Sequence, residues 1–440
     1  MPTRRTADLI ILNASELVTM ATPAPPKRGL QMREIGAIQD GAVAIRGPNV
    51  LAAGTTSDIK AAFKQKKGRP LDASGKTVIP GFVDPHAHLV FSGTRESEMV
   101  MKLEGKTYMD ILKAGGGIQR TVRATRAASE KELLAGTLKT LDRMLLHGTT
   151  TAEGKSGYGL DRDTELRSLI VMEVASRRHP VEIIPTFLGA HSVPPEYEGR
   201  GDDYIDFVVK TVLPEVARLG LARFCDVFCE EGQFSVDQSR RLLLAAARLG
   251  LRPKLHADEI VRTGGAELAA ELGAISADHL LKSSKEGLEK MARANVMAVL
   301  LPGTPFTLMQ RDHADARAMM SMGLPVALAT DFNPNCMTES MPFIIALAGY
   351  NMKMTPSEAL AASTINAACA IGRQGEVGSI EPGKRADIAV LDAPNHLHIP
   401  YHFGVNLVET VVKAGREVVK EGRIVQGAGA SRAGRARGAA

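Results

Sequence analysis

At 440 residues the chain is longer than one hydrophobic core supports, which predicts a large domain and a smaller one. Apolar residues make up 44% and charged residues 23%, and no run approaches the roughly 20 apolar residues that span a bilayer, so the chain reads as soluble with no membrane partner. The net charge of +5 does not point to nucleic acid: Arg432, Arg435 and Arg437 sit in a Gly/Ala-rich tail from Gln426 to Ala440, read as disordered, and with no Trp the remainder offers little for bases to stack on.

The arginine pair Arg4 and Arg5 precedes an apolar run, but Leu9 to Leu12 is too short for an export signal, and a first β-strand is the better reading. Short β-rich runs follow, DLIILNA, GAVAIRG and VLAAG, then a helix over SDIKAAFKQ. The same style returns near residue 377 in ADIAVLDA, VETVVKAGREVV and EGRIV. Two β-rich ends around a long middle predict a small β-sandwich built from residues 1–77 together with 377–425. Between them, over 78–376, apolar runs alternate with helical segments such as EKELLAGTLKTLDRMLLHG and DQSRRLLLAAARLG. The strands are expected at Thr77 to Val83, Thr149 to Ala152, Glu182 to Leu188, Arg223 to Phe228, Arg252 to Leu255, Ala274 to Ala277, Val296 to Leu300 and Val326 to Ala329. Eight such units predict an α/β fold of the (β/α)8 TIM-barrel type, with chemistry at the C-terminal strand ends. A doubly wound open sheet is the alternative, but it does not explain polar residues at successive strand ends.

Those polar residues carry the functional reading. His86 and His88 in VDPHAHLV are two apart, so in an extended segment both imidazoles reach one side and one metal ion. His256 follows the fifth expected strand and Asp331 the eighth. Three imidazoles and a carboxylate suit zinc or iron and leave room for a water, whose pKa a metal lowers from about 15.7 to near 7. Asp331 is a candidate general base as well as a ligand. His279, in SADHLL, is placed to polarise a substrate carbonyl, and Glu259, three residues past His256, to protonate a leaving nitrogen. His147, His179 and His313 are read as ordinary structural histidines. The four cysteines, Cys225, Cys229, Cys336 and Cys369, show no zinc-ribbon pairing and argue for a reducing, cytoplasmic setting.

PGFVDPHAH, the later histidines and the TD after the last strand resemble the amidohydrolase superfamily. Within it the segments HLVFSGTRESE, AGGGI, KSGYGL, TFLGAHSVP, DVFCEEGQF, KLHADE, SADHL, LLPGTPF and ATDFNPN resemble the imidazolonepropionase family, over nearly the whole chain short of the tail. The resemblance implies hydrolysis of 4-imidazolone-5-propanoate to N-formimidoyl-L-glutamate by metal-activated water, with His86, His88, His256 and Asp331 as ligands. It further implies that Arg95 receives the propionate carboxylate, a task suited to a bidentate guanidinium. Tyr158, His191 and Asn333 are implied as further substrate contacts, and Glu259 and His279 as the pair around the scissile bond. Asn335 and Cys336 are taken as contact positions through their backbone, since many relatives carry small residues there. No lysine ends the fourth strand, where Asp226, Cys229 and Glu230 stand, so one Zn2+ or Fe3+ per chain is expected, without a carboxylated-lysine bridge. A homodimer is implied by the family alone. The competing readings are a ring deaminase of the same superfamily, which Arg95, KSGYG and GAHSVP disfavour, and a ligand-stripped scaffold, which the complete ligand set disfavours.

Overall fold

The computed structural model describes residues 4–106, 110–111 and 114–427; the tail from residue 428 onward, read above as disordered, lies outside them. Eight parallel strands pair in chain order: Phe82–Asp84, Thr149–Lys155, Glu182–Ala190, Phe224–Cys229, Arg252–Ala257, Ser276–His279, Met297–Leu300 and Val326–Leu328. The first and last meet just beyond their ends. Ala87 bridges Phe332, His88 N–H donates to the Phe332 carbonyl at 2.8 Å, and Asp331 N–H donates to the His86 carbonyl at 3.0 Å. Helices wrap the outside, among them Glu130–Leu146 and Val236–Arg248, each begun by a capping box, from Ser129 with Glu132 and from Ser235 with Gln238. Their apolar stripes, for example Leu133, Leu141 and Leu145, face the strands and join the main core.

Because side chains alternate along a strand, every second residue enters the barrel. Towards the N-terminal strand ends the filling is apolar, with Val83, Ile184, Phe224 and Ile275 in one cluster. Nearer the C-terminal ends it is ionic: Glu153, Lys155, Asp226, Lys254 and Asp278 are all fully buried.

The second unit is a nine-stranded sheet drawn from both chain ends. Leu9–Val18, Ala37–Arg46, Asn49–Thr55, Leu71–Asp72 and Thr77–Pro80 come from one end; Ile388–Leu391, Val408–Lys413, Arg416–Lys420 and Arg423–Ile424 come from the other. The ends meet where Thr77–Pro80 runs antiparallel to Ile388–Leu391. Its two faces bury separate cores, Ile11, Val43, Ile45 and Val390 on one, Ile10, Leu12, Ala44 and Phe63 on the other, the period of two that the sequence displays.

Two elements differ from expectation. The run Thr77 to Val83 is two strands: Thr77–Pro80 stays in the end-built sheet, and only Phe82–Asp84 enters the barrel. Pro80 donates nothing to a ladder, and Gly81 lets the backbone cross where a Cβ would stand 2.4 Å from Thr150 Cγ2. Gly81→Ala is therefore expected to destabilise the protein by about 1–3 kcal/mol; an unchanged thermal midpoint would count against this close crossing. The helix over SDIKAAFKQ ends at Ala62, because Phe63–Gln65 pairs in parallel with Arg5–Ala7. Strand bounds otherwise shift by a few residues, the largest change being the second barrel strand, which runs on to Lys155. Among the described residues no helix is long and apolar enough to cross a membrane.

Candidate metal centre and active site

The barrel's C-terminal strand ends converge on a cluster of histidines. Ligand atoms of His86, His88 and Asp331 lie within 4.8 Å of one another, as do those of His86, His256 and His279, and those of His88, His191 and His256. His86 and His256 approach edge to face with ring centroids 4.5 Å apart. All are buried, and burial, helped for His86 by Lys155 and for His88 by His191, holds both imidazoles well below their ordinary pKa and therefore neutral.

Whether these residues fit a metal can be read from their hydrogen bonds. His86 Nδ1 donates to Asp278 Oδ2 at 2.6 Å, so its Nε2 carries a lone pair. That Nε2 has no hydrogen-bond partner and faces Asp331 Oδ1 at 3.3 Å, while His88 Nε2 lies 3.6 Å from the same oxygen. His256 Nε2 is likewise buried without a partner. Lone pairs turned on one another among buried residues are satisfied by a cation between them, so the donor set fits a metal ion. Asp331 is arranged for it: Thr304 Oγ1 donates to Oδ2, which leaves Oδ1 for the ligands' side. Asp331 and His279 both adopt positive φ, +50° and +75°, a conformation uncommon for such residues and frequent at functional sites. Asp278 anchors His86, so Asp278→Asn is expected to weaken metal affinity by about 10–100-fold, measured by competition with a chelator. Equal affinity would show that His86 needs no such anchor.

A cavity of about 420 Å³ opens above the cluster. It is lined by every residue selected from the sequence except His86, which lies beneath His88 and His256, and Cys336, which is fully buried with Sγ 3.6 Å from the Thr330 carbonyl. Glu259 sits across from His279, Oε2 to Nε2 3.6 Å. Burial, and then the charges of Asp331 and Glu230, push Glu259 up to about 8. Its loop is pinned from two sides. Asp258 Oδ1 accepts from the N–H groups of Thr263, Gly264 and Gly265, and Glu230 accepts from those of Ile260 and Val261.

Tyr158 is set by a buried turn in which the Glu165 carboxylate accepts from the N–H groups of Gly157, Gly159 and Leu160. Gly157 has φ +107°, and a Cβ there would meet the Leu188 carbonyl at 2.9 Å. His191 donates from Nδ1 to the Gly157 carbonyl at 2.9 Å and stacks on His88 at 5.0 Å; burial pushes it down to about 3. Arg95 faces the cavity with Nε and Nη2 on Glu98 Oε2, at 2.9 and 2.7 Å, and no described residue bonds Nη1. Asn333 spends its amide on its own loop, Nδ2 to the Asp331 carbonyl and Oδ1 from the N–H groups of Asn335 and Cys336. Asn335 Oδ1 accepts from Lys102 Nζ at 2.6 Å.

The reading of the sequence overlooked Thr304, Lys102, Asp278 and Lys155. Thr304 and Lys155 stood inside quoted segments, and Asp278 directly precedes His279, a carboxylate–histidine adjacency that is itself a signal. Nothing in the sequence marked Lys102.

A closed parallel barrel that gathers two histidines after its first strand, a third on the fifth and an aspartate after the eighth is that of an amidohydrolase, and the fold with its His/Asp cluster suggests a divalent metal. The family model described as "Amidohydrolase family" matches residues 123–426. Among solved structures of similar shape are an adenosine deaminase from Xanthomonas campestris with bound zinc, at TM-score 0.70 and 18% identity over 96% of this chain and 95% of that one. Another is an E. coli guanine deaminase, at TM-score 0.69 and 14% identity over 94% and 99%. At such identities these show the fold. Curated relatives are much nearer. The imidazolonepropionase of Alkaliphilus oremlandii is 50% identical over 95% of this chain and 99% of its own length, and that of Symbiobacterium thermophilum 52% over 96% and 99%. The chain belongs to the imidazolonepropionase family of amidohydrolases.

Proposed function

We propose that this chain hydrolyses the ring C–N bond of 4-imidazolone-5-propanoate to give N-formimidoyl-L-glutamate. The observation that carries the reading is one cavity lined at once by a guanidinium, Arg95, by the lone-pair cluster and by the Glu259–His279 pair. A small ring bearing a carboxylate calls for that arrangement, whereas a neutral nucleobase does not, and half of the residues are shared with relatives that carry the imidazolonepropionase name. The ring deaminase is thereby disfavoured.

The ion is one Zn2+ or Fe3+ per chain, held by His86, His88, His256 and Asp331. When bound it supplies Lewis-acid activation of water and of the ring carbonyl. The protein's own groups do the rest. Arg95 receives the propionate and orients the ring, with Tyr158 and His191 against its face. Asp331 takes the proton from the attacking water, and neutral His279 steadies the carbonyl oxygen as it gains charge. Glu259, protonated near neutral pH, gives its proton to the ring nitrogen as the C–N bond breaks. No nucleic acid or membrane takes part; the working form is a cytoplasmic homodimer.

Purified protein of known metal content, mixed with freshly made 4-imidazolone-5-propanoate, is expected to consume the ultraviolet absorbance of the substrate and yield a product with the mass of N-formimidoyl-L-glutamate. Turnover that depends on metal and disappears in His256→Ala supports the reading. No turnover in a sample holding about one metal per chain sinks it. Arg95→Ala is expected to raise KM by roughly 10–100-fold, the loss of a charge-assisted contact, with metal content unchanged. Loss of metal instead would move Arg95 out of the substrate site.

A further inference from the structure

Behind the metal cluster, two carboxylates that face ligand histidines share one cation. Asp278 Oδ2 accepts from His86 Nδ1 at 2.6 Å, and Asp226 Oδ2 stands 3.1 Å from His256 Nδ1, off the line of an ideal hydrogen bond. Both of these same oxygens are reached by Lys155 Nζ, at 3.3 Å from Asp278 and 2.7 Å from Asp226. The third donor of the ammonium goes to Glu153 Oε1 at 3.1 Å, and Glu153 Oε2 is held in turn by Lys254 at 2.8 Å. An ammonium has three N–H donors, so Lys155 is saturated by this set. It is fully buried at the C-terminal end of the second barrel strand and does not line the cavity. The substrate reaction proposed above gives it no direct task.

We propose that Lys155 is a positioning residue that bridges Asp278 and Asp226 and thereby sets the imidazoles of His86 and His256 with Nδ1 protonated and Nε2 turned to the metal position. The inference rests on the reading of those imidazoles as metal ligands. A carboxylate selects the Nδ1–H tautomer of the histidine it faces, and through it the nitrogen left to bind. Without Lys155 the three buried carboxylates would repel one another, and a displaced carboxylate no longer makes that selection. One lysine thus governs two ligands on different segments, the loop after the first strand and the fifth strand itself. His191 supplies an internal control, since its Nδ1 is held by the Gly157 carbonyl and not by this set.

The test is Lys155→Met in the full-length protein, with histidine tautomers read by 15N–1H NMR after metal removal and assigned by single His→Gln variants, and Zn2+ affinity measured by chelator competition. Expected are mixed or Nε2–H tautomers at His86 and His256, an unchanged tautomer at His191, and Zn2+ affinity lower by about 10–100-fold. Lys155→Gln keeps a donor and similar length, and carries the same test should Lys155→Met not fold. Unchanged tautomers with affinity within about threefold would overturn the proposal, as would a change spread equally to His191, which marks a general structural role. Because the tautomers are read without metal, a wild-type chain that binds no Zn2+ would defeat the ligand reading, while the tautomers still decide the role of Lys155.

Discussion

Glu259→Gln is expected to lower kcat by about 10²–10⁴-fold while KM and metal content stay near those of the wild type. The glutamine keeps the size and polarity of the side chain but has no proton to give to a leaving nitrogen. Glu259 lines the cavity 3.6 Å from His279 and is not among the clustered ligand groups, so the metal site survives its loss. The pH profile carries the sign. Burial and the neighbouring charges of Asp331 and Glu230 push Glu259 up to about 8, so the active, protonated form is present below that value and is lost as pH rises through it. A bound cation pulls the limb lower without reversing its direction. Wild-type kcat should therefore fall on the alkaline side, and this limb should vanish from the residual activity of Glu259→Gln. If the variant keeps kcat within threefold of the wild type, or keeps the alkaline limb, another group delivers the proton.

The parts of this site that were legible in the sequence are those fixed by local spacing. His86 and His88 stand two apart in an extended segment, His256 ends a strand, and Asp331 follows the last; each needs only the barrel rule to be placed. What was not legible depends on register between strands far apart in the chain. Whether Asp278 meets His86, or Lys155 meets both Asp226 and Asp278, is decided by how strands align around the barrel, and a shift of one residue turns every side chain to the other face. The second barrel strand was expected to stop at Ala152; because it continues, Glu153 and Lys155 point inward as buried charges rather than lying in a loop. Thr304 was hidden for a different reason: a threonine in the short Gly/Pro-containing helix Gly303–Thr307 has no pattern of its own until Asp331 is seen beside it. The first strand misled because apolar residues continue unbroken through Pro80 and Gly81, where the chain passes from one sheet to the other.

That passage between sheet and barrel is locked by charge, and breaking the lock should cost more than any surface change. Glu182 opens the third barrel strand and is nearly fully buried, its Oε1 accepting from Arg373 Nη2 at 2.9 Å and its Oε2 from Arg385 Nη1 at 2.5 Å. Arg385 also donates to Asp387 at 2.7 Å, and Lys413, from the end-built sheet, donates to that same Asp387 oxygen and to the Thr150 carbonyl, both at 2.7 Å. Glu182→Leu would leave Asp387, among the described residues, to balance both Arg385 and Lys413, and Arg373 to Glu376. The expected loss is about 3–5 kcal/mol at neutral pH, the usual result of stranding a buried charge. The deficit should depend on pH with a definite sign. Burial lowers Lys413 to about 8, so between that value and its unfolded pKa of about 10.4 the unfolded chain binds the extra proton and stability rises with pH. Removing Glu182 takes away a charge that favoured the ammonium and moves the lower edge of this window down, so the variant should recover part of its deficit as pH is raised from neutral towards 9. Denaturant unfolding at several pH values measures it; a deficit under about 1 kcal/mol, or one that grows with pH, would mean that water or another carboxylate already screens these cations.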